Sequence, residues 1–167
     1  MNIELRNIRY FAEGSEETPR YKAKLYVNNI YTADVSNQGH GGPDRVCARQ
    51  GQLHHLIEAE KWAKEQPPYI IGHMTLDSDL EAMCGDILAK WLSRQDMLRA
   101  MQRKVLTWEK VLTTENGFSF KLMEYGFKGV RKVTDTHIKT IKKQIPNAII
   151  LNELSTDEAF KIYMEGE

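Results

Sequence analysis

Tyr21-Lys22-Ala23-Lys24-Leu25-Tyr26-Val27-Asn28-Asn29-Ile30-Tyr31-Thr32-Ala33-Asp34-Val35-Ser36 is two alternating segments joined by a two-residue turn. Tyr21, Ala23, Leu25 and Val27 interleave with Lys22, Lys24 and Tyr26, the period of a strand buried on one face and wet on the other. Asn28-Asn29 suits the turn, because asparagine tolerates the left-handed backbone that two-residue hairpins require. Ile30, Thr32, Asp34 and Ser36 then alternate with Tyr31, Ala33 and Val35, a further strand. Upstream, Ile3, Leu5, Ile8, Tyr10 and Phe11 alternate with one slip, which predicts a bulged strand over 2–12. The polar turn Glu13–Pro19 joins it to the hairpin. This patterning predicts three antiparallel strands.

Downstream of the hairpin lies Ser36-Asn37-Gln38-Gly39-His40-Gly41-Gly42-Pro43-Asp44, with a glycine density the chain repeats nowhere else. Glycine serves positive φ and close backbone approach, so this stretch reads as a sharp turn from the last strand toward a helix. Leu53, Leu56, Ile57, Trp62 and Ala63 have helical spacing up to Pro67-Pro68. A second helix, capped by Thr75 or Asp77, carries a stripe through Leu80, Cys84, Ile87, Leu88, Trp91 and Leu98 toward Val105. Ser93–Asp96 is a place where it can divide.

Val105–Leu112 and Phe118–Leu122 alternate around Thr114-Glu115-Asn116-Gly117, a second hairpin. Thr134 or Asp135 opens a basic helix that ends before Pro146. Ala148–Leu151 reads as a buried strand, and Ser155-Thr156-Asp157-Glu158 is a capping box opening the last helix. The order predicts a single α+β domain over 1–167: a β-meander and glycine loop at 1–44, a helical middle at 45–104, and a hairpin with α-β-α at 105–167. Its antiparallel sheet, the three-stranded meander plus the second hairpin, has helices packed on one face. Leu25, Val27, Ile87, Leu88, Trp91 and Ile150 are the expected core.

Lys+Arg and Asp+Glu are both 23, so no global field advertises nucleic acid or an anionic membrane. Cys47 and Cys84 are too isolated for a disulfide framework or C-x-x-C chemistry, and no apolar run reaches membrane length. A cytoplasmic protein without membrane partners is the resulting expectation.

Four constellations are candidates for function. In the glycine loop, Ser36, Asn37, Gly39, His40, Gly41, Gly42 and Asp44 form the candidate binding site, where backbone N–H groups at a strand-to-helix turn build an anion nest. In a meander, Glu16-Glu17 returns to the same end of the sheet, so Glu17 and His40 are the candidates for acid/base chemistry there. Neither phosphate-loop nor dinucleotide spacing is present, and no complete catalytic signature accompanies the loop. His54 and Glu58 share a helix face at i, i+4, but no second ligand pair supports a metal, and no metal or cofactor is expected. Lys128, Arg131, Lys132, Lys139, Lys142 and Lys143 are the one dense basic run, with Tyr125 and Phe127 nearby for stacking. The plain alternative for that run is a solvated helix face.

Ser15-Glu16-Glu17-Thr18, the Tyr21–Val27 strand, Ser36-Asn37 with Gly39-His40-Gly41-Gly42, and Ile150-Leu151-Asn152-Glu153-Leu154 before Asp157-Glu158-Ala159 resemble an uncharacterised family of small proteins encoded by bacteriophages and bacterial mobile elements. The likeness covers about residues 1–44 and 148–160 and carries no established activity or catalytic residue. It implies a protein working in a host cytoplasm on host machinery. The expectation is therefore a non-catalytic interaction protein that modulates a host protein complex, such as an inhibitor of a defence system. A small enzyme or nucleotide binder using the Ser36–Asp44 loop is the first alternative. A nucleic-acid-binding accessory protein using the basic run is the second.

Overall fold

The computed structural model describes residues 1–71, 74–112 and 117–166. The chain falls into two compact units, Met1–Lys90 and Trp91–Glu167. In the first, β1 (Ile3–Tyr10), β2 (Tyr21–Val27), β3 (Ile30–Asn37) and β4 (Arg45–Ala48) form one antiparallel sheet in sequence order. The three expected strands are present, and a fourth, β4, lies at the start of the 45–104 stretch expected to be a helical middle. Four residues with little apolar alternation carry too weak a period to mark a strand; pairing with β3 makes it one.

Both hairpin partners of β2 are bulged. In β1 the register slips between Arg6 and Arg9, where Asn7 takes a left-handed φ of 54°. In β3 it slips after Leu25↔Ala33, so that Tyr26 pairs with Tyr31 and Thr32 is the extra residue. A one-residue slip moves every later side chain to the opposite face. Leu5, Tyr21, Ala23, Leu25, Val27, Ala33 and Val35 are buried on the inner face. There the helix α1 (Leu53–Lys64) packs on β2 and β3 and buries Leu56, Ala59 and Ala63. A large aliphatic side chain such as Leu25 or Leu56 contributes about 1.5–3 kcal/mol when fully buried.

Two short strands, β5 (Tyr69–Ile71) and β6 (Met74–Leu76), precede α2, which runs unbroken over Leu80–Arg103. Its first turn is capped by Asp79, whose Oδ1 accepts the Ala82 N–H at 2.7 Å, so neither Thr75 nor Asp77 is the cap. Ser93–Asp96 does not divide it, since polar residues there sit within a helix whose flanking apolar stripe continues. Leu80, Cys84 and Leu88 are its buried positions in the first unit.

In the second unit β7 (Lys104–Leu112) lies between β8 (Phe118–Gly126) and β9 (Ile149–Ile150). This is the expected second hairpin; Thr114, Glu115 and Asn116 of its turn lie outside the described residues. β9 is shorter than expected because Leu151–Glu153 closes into a 3-10 turn, and Ile149 is exposed. Asn152 holds that turn, with its amide donating to the Met101 and Lys104 carbonyls and its Oδ1 accepting the Leu106 N–H. Helix α3 (Asp135–Gln144) is capped by Thr134 and stops before Pro146. Helix α4 (Thr156–Gly166) opens on the Ser155–Glu158 capping box. Ile150 is buried with Val105 and Ile141, and Met97, Leu106, Leu151, Ala159 and Tyr163 form a second cluster. Ile87 and Trp91, placed in the core from their spacing, are only half-buried.

Candidate functional site

The Ser36–Asp44 loop joins β3 to β4, two antiparallel strands, and not a strand to a helix. Asn37, at the end of β3, is its hub and is buried. Its Oδ1 accepts the Gly39 N–H at 2.8 Å and the Thr18 hydroxyl at 2.9 Å. Its amide nitrogen donates to the Gly42 carbonyl and to Asp44 Oδ1, both at 3.0 Å. Asp44 also accepts the hydroxyl of Tyr21 through Oδ2, while its own N–H goes to Glu81 Oε1 at 2.8 Å. Burial and that carboxylate push the Tyr21 phenol far above its ordinary range, and burial pushes the nearby Cys84 thiol up to about 12. Both stay protonated.

The Glu13–Pro19 turn closes over this hub. The N–H groups of Glu16, Glu17 and Thr18 all point at the Gly39 carbonyl, at 2.9, 3.1 and 3.4 Å. Gly39 has φ +93°, and a Cβ there would sit 2.0 Å from the Gly14 carbonyl oxygen. Gly41 has φ +82°, and a Cβ there would meet Glu17 Oε2 at 2.0 Å. At Gly39 the obstacle is backbone and excludes any Cβ; at Gly41 it is the end of the Glu17 side chain, and the positive φ is what favours glycine there. Gly42 differs, since nothing lies within 4 Å of a Cβ at that position.

Turn and loop do meet at one end of the sheet, as the meander implies, but His40 pairs with Glu16 and not with Glu17: Nδ1 lies 3.1 Å from Glu16 Oε2. Both side chains are more than 60% exposed, so the pair sits in water and not in an enclosed site. The anion nest is not formed either. The N–H groups of Gly39, Gly41 and Asp44 are taken by Asn37, Thr18 and Glu81, and Glu16, Glu17, Asp44 and Glu81 surround the loop with negative charge. A phosphate would meet carboxylates and spent donors. The exposed parts of the loop are Gln38, His40, Gly41, Gly42 and Pro43; all of these but Gly41, with Ser36, Asn37 and Arg45, rim an open hollow of about 310 Å3.

No family model, curated protein or solved structure matches this chain.

The His54 and His55 rings lie 3.9 Å apart and tilted by 41°, and His55 Nδ1 lies 2.8 Å from Gln52 Oε1. Among the described residues no group of three or more His, Cys, Asp or Glu converges on a point. Among them, too, no helix is long and apolar enough to cross a membrane. Lys128, Arg131, Lys132, Lys139, Lys142 and Lys143 are all exposed, and Lys142 is held by Glu153 at 2.8 Å. Tyr125 and Phe127 pack on the Val105–Ile141–Ile150 cluster, with Phe127 against His137 at 4.5 Å and the Tyr125 hydroxyl on Glu109. Both are half-buried, each with part of its ring committed to that cluster.

Sequence reasoning missed a second cluster. Tyr26 and Tyr31 stack with ring centroids 5.5 Å apart and planes 23° from parallel. Arg6 lies over Tyr26 at 4.2 Å, and Lys24 and Arg49 lie over Tyr31 at 4.7 and 4.9 Å. No local motif marks it; the imperfect alternation in β1 was the available signal.

Proposed function

We propose that this chain is a non-catalytic interaction protein that presents the Ser36–Asp44 loop to a protein partner, in keeping with the sequence expectation. The observation that carries the reading is the Asn37 hub. It ties Thr18, Gly39, Gly42 and Asp44 together through one buried and three part-buried hydrogen bonds while His40, Gly41, Gly42 and Pro43 stay at the surface. A prebuilt surface loop loses little conformational entropy on docking, so its contacts convert to affinity. The hollow it rims accepts a protruding side chain. The resemblance to phage and mobile-element proteins supports a host complex as the partner and inhibition of that complex as the outcome. The nucleotide-binding alternative draws less support, because the N–H groups of Gly39, Gly41 and Asp44 are engaged within the protein and Glu16, Glu17, Asp44 and Glu81 lie around the loop.

The test is a host-lysate pull-down with wild-type protein and Gly42→Trp, where the side chain projects into open space. A discrete protein retained by the wild type and lost from the folded variant is expected. Equal retention by both overturns the reading.

A further inference from the structure

The two bulges of the N-terminal sheet have the same consequence. By register, Glu4, Arg6 and Arg9 of β1 share the outer face with Lys22, Lys24 and Tyr26 of β2. The same face carries Tyr31, Asp34 and Ser36 of β3, and Arg45 and Cys47 of β4. Without the Asn7 bulge, Arg6 and Arg9 fall on opposite faces; without the Thr32 bulge, Tyr31 joins Ala33 and Val35 in the core. Both irregularities move a cation or an aromatic ring to the surface at a cost in regular pairing. Bulges are over-represented at sheet edges and beside functional sites, where they re-aim side chains.

The charge is segregated as well. The first unit holds ten Lys and Arg against thirteen Asp and Glu, a net −3. Yet six of those ten cations, Arg6, Arg9, Lys22, Lys24, Arg45 and Arg49, line this face, opposed only by Glu4 and Asp34. Among the described residues Arg6 alone of the six is held in an ion pair, to Glu4 at 2.7 Å. Beside the tyrosine stack, the Asn7 bulge opens a hollow of about 570 Å3, lined by Asn7, Arg9, Lys22, Lys24 and Asp34 among others. That lies within the range of small-molecule sites, about 300–1,000 Å3.

We infer that this outer face binds single-stranded nucleic acid. Stacked aromatic rings on an open sheet, ringed by cations of which only Arg6 is in an ion pair among the described residues, meet both requirements of a single strand: a platform for unstacked bases and a positive track for the phosphates. Tyr26 and Tyr31 take the bases. Arg6, Lys24 and Arg49, poised over the rings, swing to phosphates as bases replace them, and Arg9 and Lys22 hold the backbone beside the hollow. A duplex keeps its bases stacked inside and gains only the charge. The surface is independent of the loop docking proposed above and differs from the basic run of the second unit.

Fluorescence anisotropy with labelled oligo(U) RNA, oligo(dT) DNA and a DNA duplex, each about 12 long, tests the inference on the full chain across a salt series. Both single strands should bind more tightly than the duplex; a preference between RNA and DNA sustains the inference either way and reports whether a 2′-hydroxyl is contacted. Tyr26→Ala or Tyr31→Ala should weaken binding by about 5- to 150-fold, with Tyr→Phe restoring it. Arg9→Gln and Lys22→Gln, exposed changes that leave the core untouched, should each lower the salt slope by about 0.7. They decide the matter if a tyrosine variant fails to fold. Lys139→Gln with Lys142→Gln and Lys143→Gln should change nothing. The inference is overturned by absence of single-strand binding at low salt, by equal duplex affinity, by indifference to the Tyr26, Tyr31, Arg9 and Lys22 changes, or by competition from poly-glutamate equal to that from oligo(dT). Retained single-strand binding by Gly42→Trp is expected, which separates this result from the fate of the loop.

Discussion

Tyr26 and Tyr31 are direct cross-strand partners whose rings stack on the surface of the sheet, five residues apart in sequence across the Asn28-Asn29 turn. The pairing exists because Thr32 is bulged inward and fully buried, its hydroxyl turned onto the Ile30 carbonyl at 2.9 Å. A stacked aromatic pair is worth about 0.5–1.5 kcal/mol beyond its buried area. A double-mutant cycle of Tyr26→Ala and Tyr31→Ala in urea should return a coupling in that range. Additive losses mean that the rings do not interact in solution.

The Asn37 hub makes a sharper demand. Asn37→Ala strips partners from Thr18, Gly39, Gly42 and Asp44 at once. Buried groups left without partners cost about 1–3 kcal/mol each, and water recovers part of that at the exposed rim. The expected loss is about 2–4 kcal/mol, read from the shift in denaturant midpoint, with no change in slope.

The loop glycines are not equivalent. Gly39→Ala forces a Cβ against backbone at positive φ and should destabilise by at least the ~1–2 kcal/mol of the left-handed conformation alone. Gly42→Ala should leave the melting temperature unchanged, because nothing approaches that position. Equal melting temperatures for the two variants contradict the described loop.

Alkaline pH should unfold the first unit. Tyr21 and Cys84 are held neutral in the fold, with the phenol far above its usual value of about 10 and the thiol at about 12. The unfolded chain gives up these protons first, so it binds fewer protons than the native state and stability falls as pH rises. The contribution of both groups is whole below about pH 8.5. The Cys84 share fades from there to about 12, and the Tyr21 share begins to fade near pH 10. Cys84→Ala should flatten the first part of that decline in a urea-midpoint titration; an unchanged profile refutes the assignment.

Leu88 is 3% exposed on α2, and Leu88→Ala should cost about 2–5 kcal/mol. A shift too small to measure in the unfolding midpoint puts this face of α2 outside the core.

Local patterning determined the elements. The alternation over Tyr21–Val27, the Asn28-Asn29 turn, the stripe of α2, Thr134 as a cap and the Ser155–Glu158 box each act within a few residues, and each produced the expected structure. The α+β class came from their order. Tertiary structure decided the rest. β4 is a strand only because β3 offers it a ladder, and that converts the glycine loop from an anion-binding turn into a hairpin connection. Glu16 rather than Glu17 meets His40, because three N–H groups of the turn converge on one carbonyl and fix which carboxylate faces out. Most of all, the side-chain period of a strand is two, so a single bulged residue exchanges inside for outside. Asn7 and Thr32 each make that exchange; the slip between Leu5 and Ile8 announces the first, but no window of sequence around Tyr31 states which face it occupies until the partner strand sets the register.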